Sequence, residues 1–204
     1  CRDWSSDVCS SDLVALPEAL DGLYIGGGYP ELFGRELEAN VKMRTDIHRF
    51  AMNGKPIYAE CGGLMYLMSH LEDTKGERYH MVGVFSGHAK MTDALQRFGH
   101  VEAQLDCTNW LKSDTLSNGS MRYTVQYRGH EFHHSVVENC DAEQIIRVSN
   151  KTKSWTCGYL YKNVIATYVH AHFYANPDLW HFLVTLYQSN KEVTGDIIMD
   201  SDVL

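Results

Sequence analysis

The chain has 204 residues, 44% of them hydrophobic, enough for one compact domain with a full core. Its formal charge of −8, with no basic cluster on any candidate element, argues against a nucleic-acid surface, and no apolar run approaches the ~20 residues that span a bilayer. Six cysteines, at 1, 9, 61, 107, 140 and 157, form no CxxC pair, which argues against a zinc ribbon or a dense disulfide framework and points to a soluble protein of the reducing cytoplasm.

In chain order, the first thirteen residues repeat Ser-Ser-Asp, lack an initiating Met and carry neither the basic region nor the apolar core of a signal peptide. They resemble a translated sequencing adapter, so residues 1–13 are read as a non-native leader and the native N-terminus is expected upstream. Residues 20–25 read as a strand running into Gly26-Gly27-Gly28-Tyr29-Pro30-Glu31. A triple glycine after a strand lets backbone amides approach a ligand, but no Lys-Ser/Thr follows at the spacing of a phosphate loop. It could serve as half of an oxyanion hole or be a plain βα turn. Residues 31–52 are helical in pattern, with Asn40 able to cap a second segment and Asn53-Gly54 to end it.

Residues 56–67, Pro-Ile-Tyr-Ala-Glu-Cys-Gly-Gly-Leu-Met-Tyr-Leu, are the focus of the chain. A buried strand, a cysteine flanked by small residues at Ala59 and Gly63, and a helix form a nucleophile elbow, where large side chains two residues either side would collide. The helix N-terminus is expected to favour the thiolate of Cys61. The bland alternative is a buried structural cysteine beside a Gly-Gly turn. After the elbow helix, residues 71–76 read as a loop, and the character then turns to β over 79–85, 98–105 and 121–127, with a polar surface loop at 109–120.

Arg128-Gly129-His130-Glu131-Phe132-His133-His134-Ser135 invites a metal reading, but its spacing is not that of a helical zinc site, and a strand edge presenting its backbone to substrate fits better. Strands are expected at 144–148 and 155–161, and a β-branched strand over 164–173 carries His170 and His172 towards its end. Asn176-Pro177-Asp178 opens a last helix with Leu179, Phe182, Leu183 and Leu186 on its inner face, followed by an acidic tail at 194–204. The alternation of strands and helices predicts an α/β fold, a mostly parallel twisted sheet with helices on both faces and its ligand crevice at the strand C-termini. Cys61 needs a base from elsewhere in the chain; His170 is the first candidate and His172 the second.

The glycine loop, Tyr58 to Leu67, Arg128 to Ser135 and Ala166 to Phe173 together resemble the signature blocks of the C-terminal class I glutamine amidotransferase domain of cobyrinic or hydrogenobyrinic acid a,c-diamide synthases, in order from about residue 20 to 186. The resemblance implies a flavodoxin-like glutaminase architecture, with residues 14–204 as the amidotransferase domain and an ATP-binding synthetase domain missing from the N-terminal side. It implies Cys61 as nucleophile, His170 as its base, Gly28 and Gly62 as oxyanion donors, and Gly27, Tyr29, His133, His134 and Ser135 at the substrate. No cofactor is expected in this chain; ATP and magnesium belong to the missing domain, and the partners are glutamine, that domain and its corrin-type tetrapyrrole.

Three positions depart from the wider pattern. His172 stands where other glutaminases carry the Glu that orients the histidine, leaving Glu60 and His172 as candidate supports. Met65 stands where many relatives have Gln, so substrate recognition is expected to lean on the backbone of residues 133–135. His134 replaces a Tyr. Two alternatives remain: the related nickel-sirohydrochlorin a,c-diamide synthase, and an amidotransferase-like binding module without catalysis. Cobyric acid synthase fits less well, because its elbow lacks the Glu before the cysteine.

Overall fold

The structure, a computed structural model, describes residues 15–17, 19–108 and 123–188. The leader, the polar loop at 109–120 and the acidic tail therefore lie outside the described residues. β1 (Leu23–Ile25) leads through the glycine run into a 3₁₀ turn (Pro30–Leu32), α1 (Gly34–Ala39) and α2 (Val41–Met52). Asn40 caps α2 as expected, its side chain accepting a hydrogen bond from the Met43 amide at 3.1 Å. β2 (Ile57–Glu60), the elbow and α3 (Gly62–Leu67) follow.

The chain then departs from expectation. The elbow helix stops at Leu67, and β3 (Met68–Glu72) occupies what reads as helix end and loop. The reason is tertiary: the amides of Val82, Gly83 and Val84 donate to the carbonyls of Tyr66, Met68 and Leu67 respectively, taking the places of the next helical turn. The same diversion splits the single strand expected at 79–85 into β4 (Arg78–His80) and β5 (Phe85–Met91). β6 (Arg97–Asp106), β7 (Thr124–His133), β8 (Ser135–Glu138), β9 (Glu143–Ser149), β10 (Ser154–Tyr161), β11 (Val164–Thr167), β12 (His170–Ala171) and α4 (Pro177–Gln188) complete the described chain.

Two sheets result, in the orders β1-β2-β11-β10-β9-β6-β7-β12 and β4-β3-β5-β8. The α/β class holds, and helices cover both faces of the large sheet. Along β2 and β11, Ile57, Ala59, Val164 and Ala166 pack with α1–α3, while Tyr58 and Ile165 turn to Leu179, Phe182, Leu183 and Leu186 of α4. The expectation of a mostly parallel sheet is corrected, because in the large sheet only the β1–β2 and β2–β11 pairings are parallel. From β9 to β11 adjacent strands are joined by short turns, which force antiparallel pairing.

The expected strand at 164–173 is broken. The Val169 amide donates to the Thr167 hydroxyl at 3.1 Å instead of to a neighbouring strand, and the chain turns so that β12 pairs with the far edge, His170 opposite His130 and Ala171 opposite Gly129. β11 and β12 thus lie at opposite ends of a six-strand run, and the sheet curls round on itself. Among the described residues no helix is long and apolar enough to cross a membrane.

Candidate active site

The site starts with backbone geometry at one residue. Cys61 follows the C-terminal end of β2 with φ 48 and ψ −104, a left-handed conformation unusual for any residue but glycine. Three contacts hold it there. Its amide donates to the Thr167 carbonyl at 2.7 Å, its carbonyl accepts from the Met65 amide, and the turn is tight enough that a Cβ on Gly63 would sit 2.5 Å from the Ile25 carbonyl oxygen. The small residue two positions after Cys61 is therefore required by the approach of the first strand.

The glycine run supplies the opposite wall. A Cβ on Gly62 would lie 2.6 Å from the carbonyl oxygen and 2.8 Å from the nitrogen of Gly28, so these two backbones are in contact. A Cβ on Gly27 would lie 2.3 Å from Cε1 of His170. One glycine run thus lies against both the His170 ring and the backbone of the residue that follows Cys61.

Electrostatics differ from the expectation of a thiolate. Burial pushes the Cys61 thiol up to about 12, and the carboxylates of Glu31, Glu60 and Glu131 add to this against the opposing pull of the Gly62 amide. One amide at the head of a six-residue helix does not outweigh desolvation. His170 moves the other way, down to about 4, chiefly by burial and then through His130, whose ring stacks on it at 4.8 Å, and His133. The resting pair is a neutral thiol and a neutral imidazole. The thiol's recorded hydrogen bond is a long one, 3.9 Å, to the Phe132 carbonyl.

Glu60 is the carboxylate at the histidine. It is buried, its Oε1 accepts from the Ala171 amide at 3.0 Å, its Oε2 accepts from the Tyr24 hydroxyl at 2.9 Å, and that oxygen lies 3.8 Å from Nδ1 of His170. His172, the other candidate support, is exposed, with its ring towards Tyr174.

The block at 133–135 forms the adjoining wall. His133 is buried, pushed down to about 4 mainly by that burial, its ring stacked on Tyr168 at 3.8 Å and its Nδ1 2.8 Å from the Ser135 carbonyl. Ser135 donates to the Met65 sulfur at 3.4 Å and shares a 2.9 Å hydrogen bond with Tyr168, so the methionine at the usual glutamine position is tied to this block. The carbonyls of 133, 134 and 135 accept from Gln96, Thr92 and His133 respectively, whereas the Cys61 thiol donates to the carbonyl of Phe132. His134 packs edge-on against Phe132, and Tyr29 is exposed at the start of the 3₁₀ turn.

The structure therefore gathers Cys61, Gly27, Gly28, Gly62, Glu60 and His170, sets His133 and Ser135 beside them, and leaves Tyr29 and His172 at the surface. Sequence reasoning missed Tyr24, Tyr168 and the stacking role of His130. Only Tyr168 left a signal, lying two residues before His170 in the same block.

The CobB/CobQ-like glutamine amidotransferase domain model matches residues 6–178. Cobyrinate a,c-diamide synthase of Caldanaerobacter subterraneus subsp. tengcongensis is 42% identical over 161 residues, covering 78% of this chain and 34% of that protein. The Listeria innocua synthase is 45% identical over 167 residues (79% and 34%), and the Limosilactobacillus reuteri one 40% over 174 (81% and 36%). The chain thus spans about a third of the length of the curated relatives it matches. A crystal structure of a glutamine amidotransferase superposes with a TM-score of 0.59 at 15% identity, covering 84% of this chain and 81% of that one, a likeness of fold. With a family match across most of its length and relatives this similar, the chain belongs to the CobB/CobQ-like glutamine amidotransferases.

Proposed function

We propose that this chain is the glutaminase part of a glutamine-hydrolysing, ATP-dependent cobyrinate a,c-diamide synthase. The observation that carries the reading is the pair of consecutive glycines, Gly27 against the His170 ring and Gly28 against Gly62 next to the sulfur. The names of relatives at 40–45% identity supply the substrate class.

In this reading Cys61 attacks the side-chain amide carbon of glutamine while His170 accepts the thiol proton. A neutral ring beside a neutral thiol suits that transfer, because both groups are in the state the step consumes. The amides of Gly28 and Gly62 hold the tetrahedral oxyanion, each such donor contributing about 3 kcal/mol. His170 returns its proton to the leaving nitrogen and ammonia departs. The glutamyl thioester on Cys61 is then hydrolysed by water, releasing glutamate. Gly27, Tyr29, His133, His134 and Ser135 line the approach for the substrate.

Ammonia is consumed in amidating the a- and c-carboxylates of the corrin. In this reading ATP and magnesium act in the part of the synthase beyond this chain, in keeping with a glycine run that no Lys-Ser/Thr follows at phosphate-loop spacing.

The test is covalent labelling with 6-diazo-5-oxo-norleucine, a glutamine mimic, on this chain alone and with the synthetase half of a relative. A mass adduct on Cys61, absent from Cys61→Ser, is expected. A folded chain whose Cys61 stays unlabelled in both settings overturns the reading.

A further inference from the structure

Glu60 is an expensive residue to keep. A carboxylate that is 3% exposed loses most of its hydration, and among the described ion pairs no lysine or arginine compensates it. Burial raises its ionisation from 4.5 to about 7 even though the Ala171 amide and the Tyr24 hydroxyl both favour the charged form. A purely architectural anchor for β12 needs only a neutral acceptor. What the site does contain is a ring nitrogen 3.8 Å from Oε2 that becomes a cation whenever His170 takes up a proton.

Two hydrogen bonds aim Glu60. The Ala171 amide belongs to the residue after His170, so the carboxylate grips the backbone that carries the ring, and Tyr24 of β1 holds the second oxygen on the side facing Nδ1. The position two residues past the histidine, where other glutaminases carry the acid, is the exposed His172.

We infer that Glu60 is the positioning carboxylate of this site, an acid placed next to the nucleophile in the chain that orients His170 through Nδ1 and stabilises its imidazolium. The inference rests on the reading of Cys61 and His170 as nucleophile and base. At 3.8 Å the contact is longer than a hydrogen bond, and it closes when the ring gains its second proton. The proton accounting is complete: the thiol proton passes to Nε2, Nδ1–H faces Glu60, and the same proton leaves with ammonia. Glu60 itself gives and takes none.

The groups facing this pair are Tyr24 from β1, Tyr58 within β2, Cys61 after it, Tyr127, His130 and His133 from β7, and Tyr187 of α4 behind Tyr24. None is a fixed cation.

The experiment compares rates of Cys61 labelling by 6-diazo-5-oxo-norleucine across pH 5–9 in the wild-type chain, in the setting that labels it, with two variants. Glu60→Gln keeps the volume and an acceptor for the Ala171 amide but cannot be charged. Its maximal labelling rate is expected to fall on the order of 10⁴-fold, as for loss of the orienting acid in a Ser-His-Asp triad, with reagent affinity changed less than threefold. The rise in rate through about pH 7 disappears with it. Tyr24→Phe keeps the carboxylate and removes one donor that favours its charged form, so the inflection moves to higher pH. A folded Glu60→Gln protein with wild-type rate and inflection overturns the inference, as does a Tyr24→Phe inflection that stays in place. Failure of the underlying glutaminase reading looks different, since the wild type itself then does not label.

Discussion

Cys61 combines a strained backbone with an unactivated thiol. Positive φ at a non-glycine residue is stored strain, held by the Thr167 carbonyl on its amide and by the close approach of β1 to Gly63. Such placement aims the sulfur but does not ionise it, because desolvation and three nearby carboxylates dominate. It follows that Cys61 should react poorly with a reagent that brings no proton-transfer geometry. Its alkylation by iodoacetamide, followed by peptide mass spectrometry, should rise steadily through pH 9 with no plateau near neutrality. A plateau below pH 7 would show a resting thiolate. The elbow was legible because its chemistry is local: Ala59, Cys61 and Gly63 are close in the chain. Glu60's partners were not, since Tyr24 and Ala171 come from strands that only the folded sheet sets beside it.

Among the elements, β12 has the largest effect for its size. Two residues long, it is held on β7 where Gly129 leaves no room for a side chain: a Cβ there would lie 2.3 Å from the His170 carbonyl oxygen and 2.5 Å from Cγ1 of Val169. Gly129→Ala should therefore push His170 off the edge, lowering stability by about 1–3 kcal/mol and slowing Cys61 labelling together. Thermal denaturation and the labelling rate check this, and an unchanged labelling rate would show that β12 does not depend on that contact. The helices and hairpin strands were readable from capping and alternation, as at Asn40 and along β6. The break after Thr167 and the early end of α3 were not. Each depends on a hydroxyl or a distant loop capturing backbone groups that periodicity assigns to a regular element.

For the molecule as a whole, buried ionisable groups set opposing responses to pH. His133 and His170 sit near 4 instead of 6.5, so below about 6.5 the unfolded chain takes up protons that the folded one refuses, and stability falls as pH drops through that window. Glu60 acts in the opposite sense. Raised from 4.5 to about 7, it keeps a proton that the unfolded chain has released, so stability falls as pH climbs across that range. Removing the carboxyl with Glu60→Gln should increase the variant's stability relative to wild type between pH 4.5 and 7.5 by on the order of 3 kcal/mol, read by denaturant titration at both ends. A constant difference would mean that Glu60 ionises normally. The curl of the large sheet also bears on timing. During synthesis Cys61 leaves the ribosome long before His170, and that histidine finds its seat only when the last short strand docks on a hairpin already made. In the proposed reaction, chemistry therefore waits on closure of the ring, and a nascent or partly opened chain carries its sulfur apart from the imidazole that would take its proton.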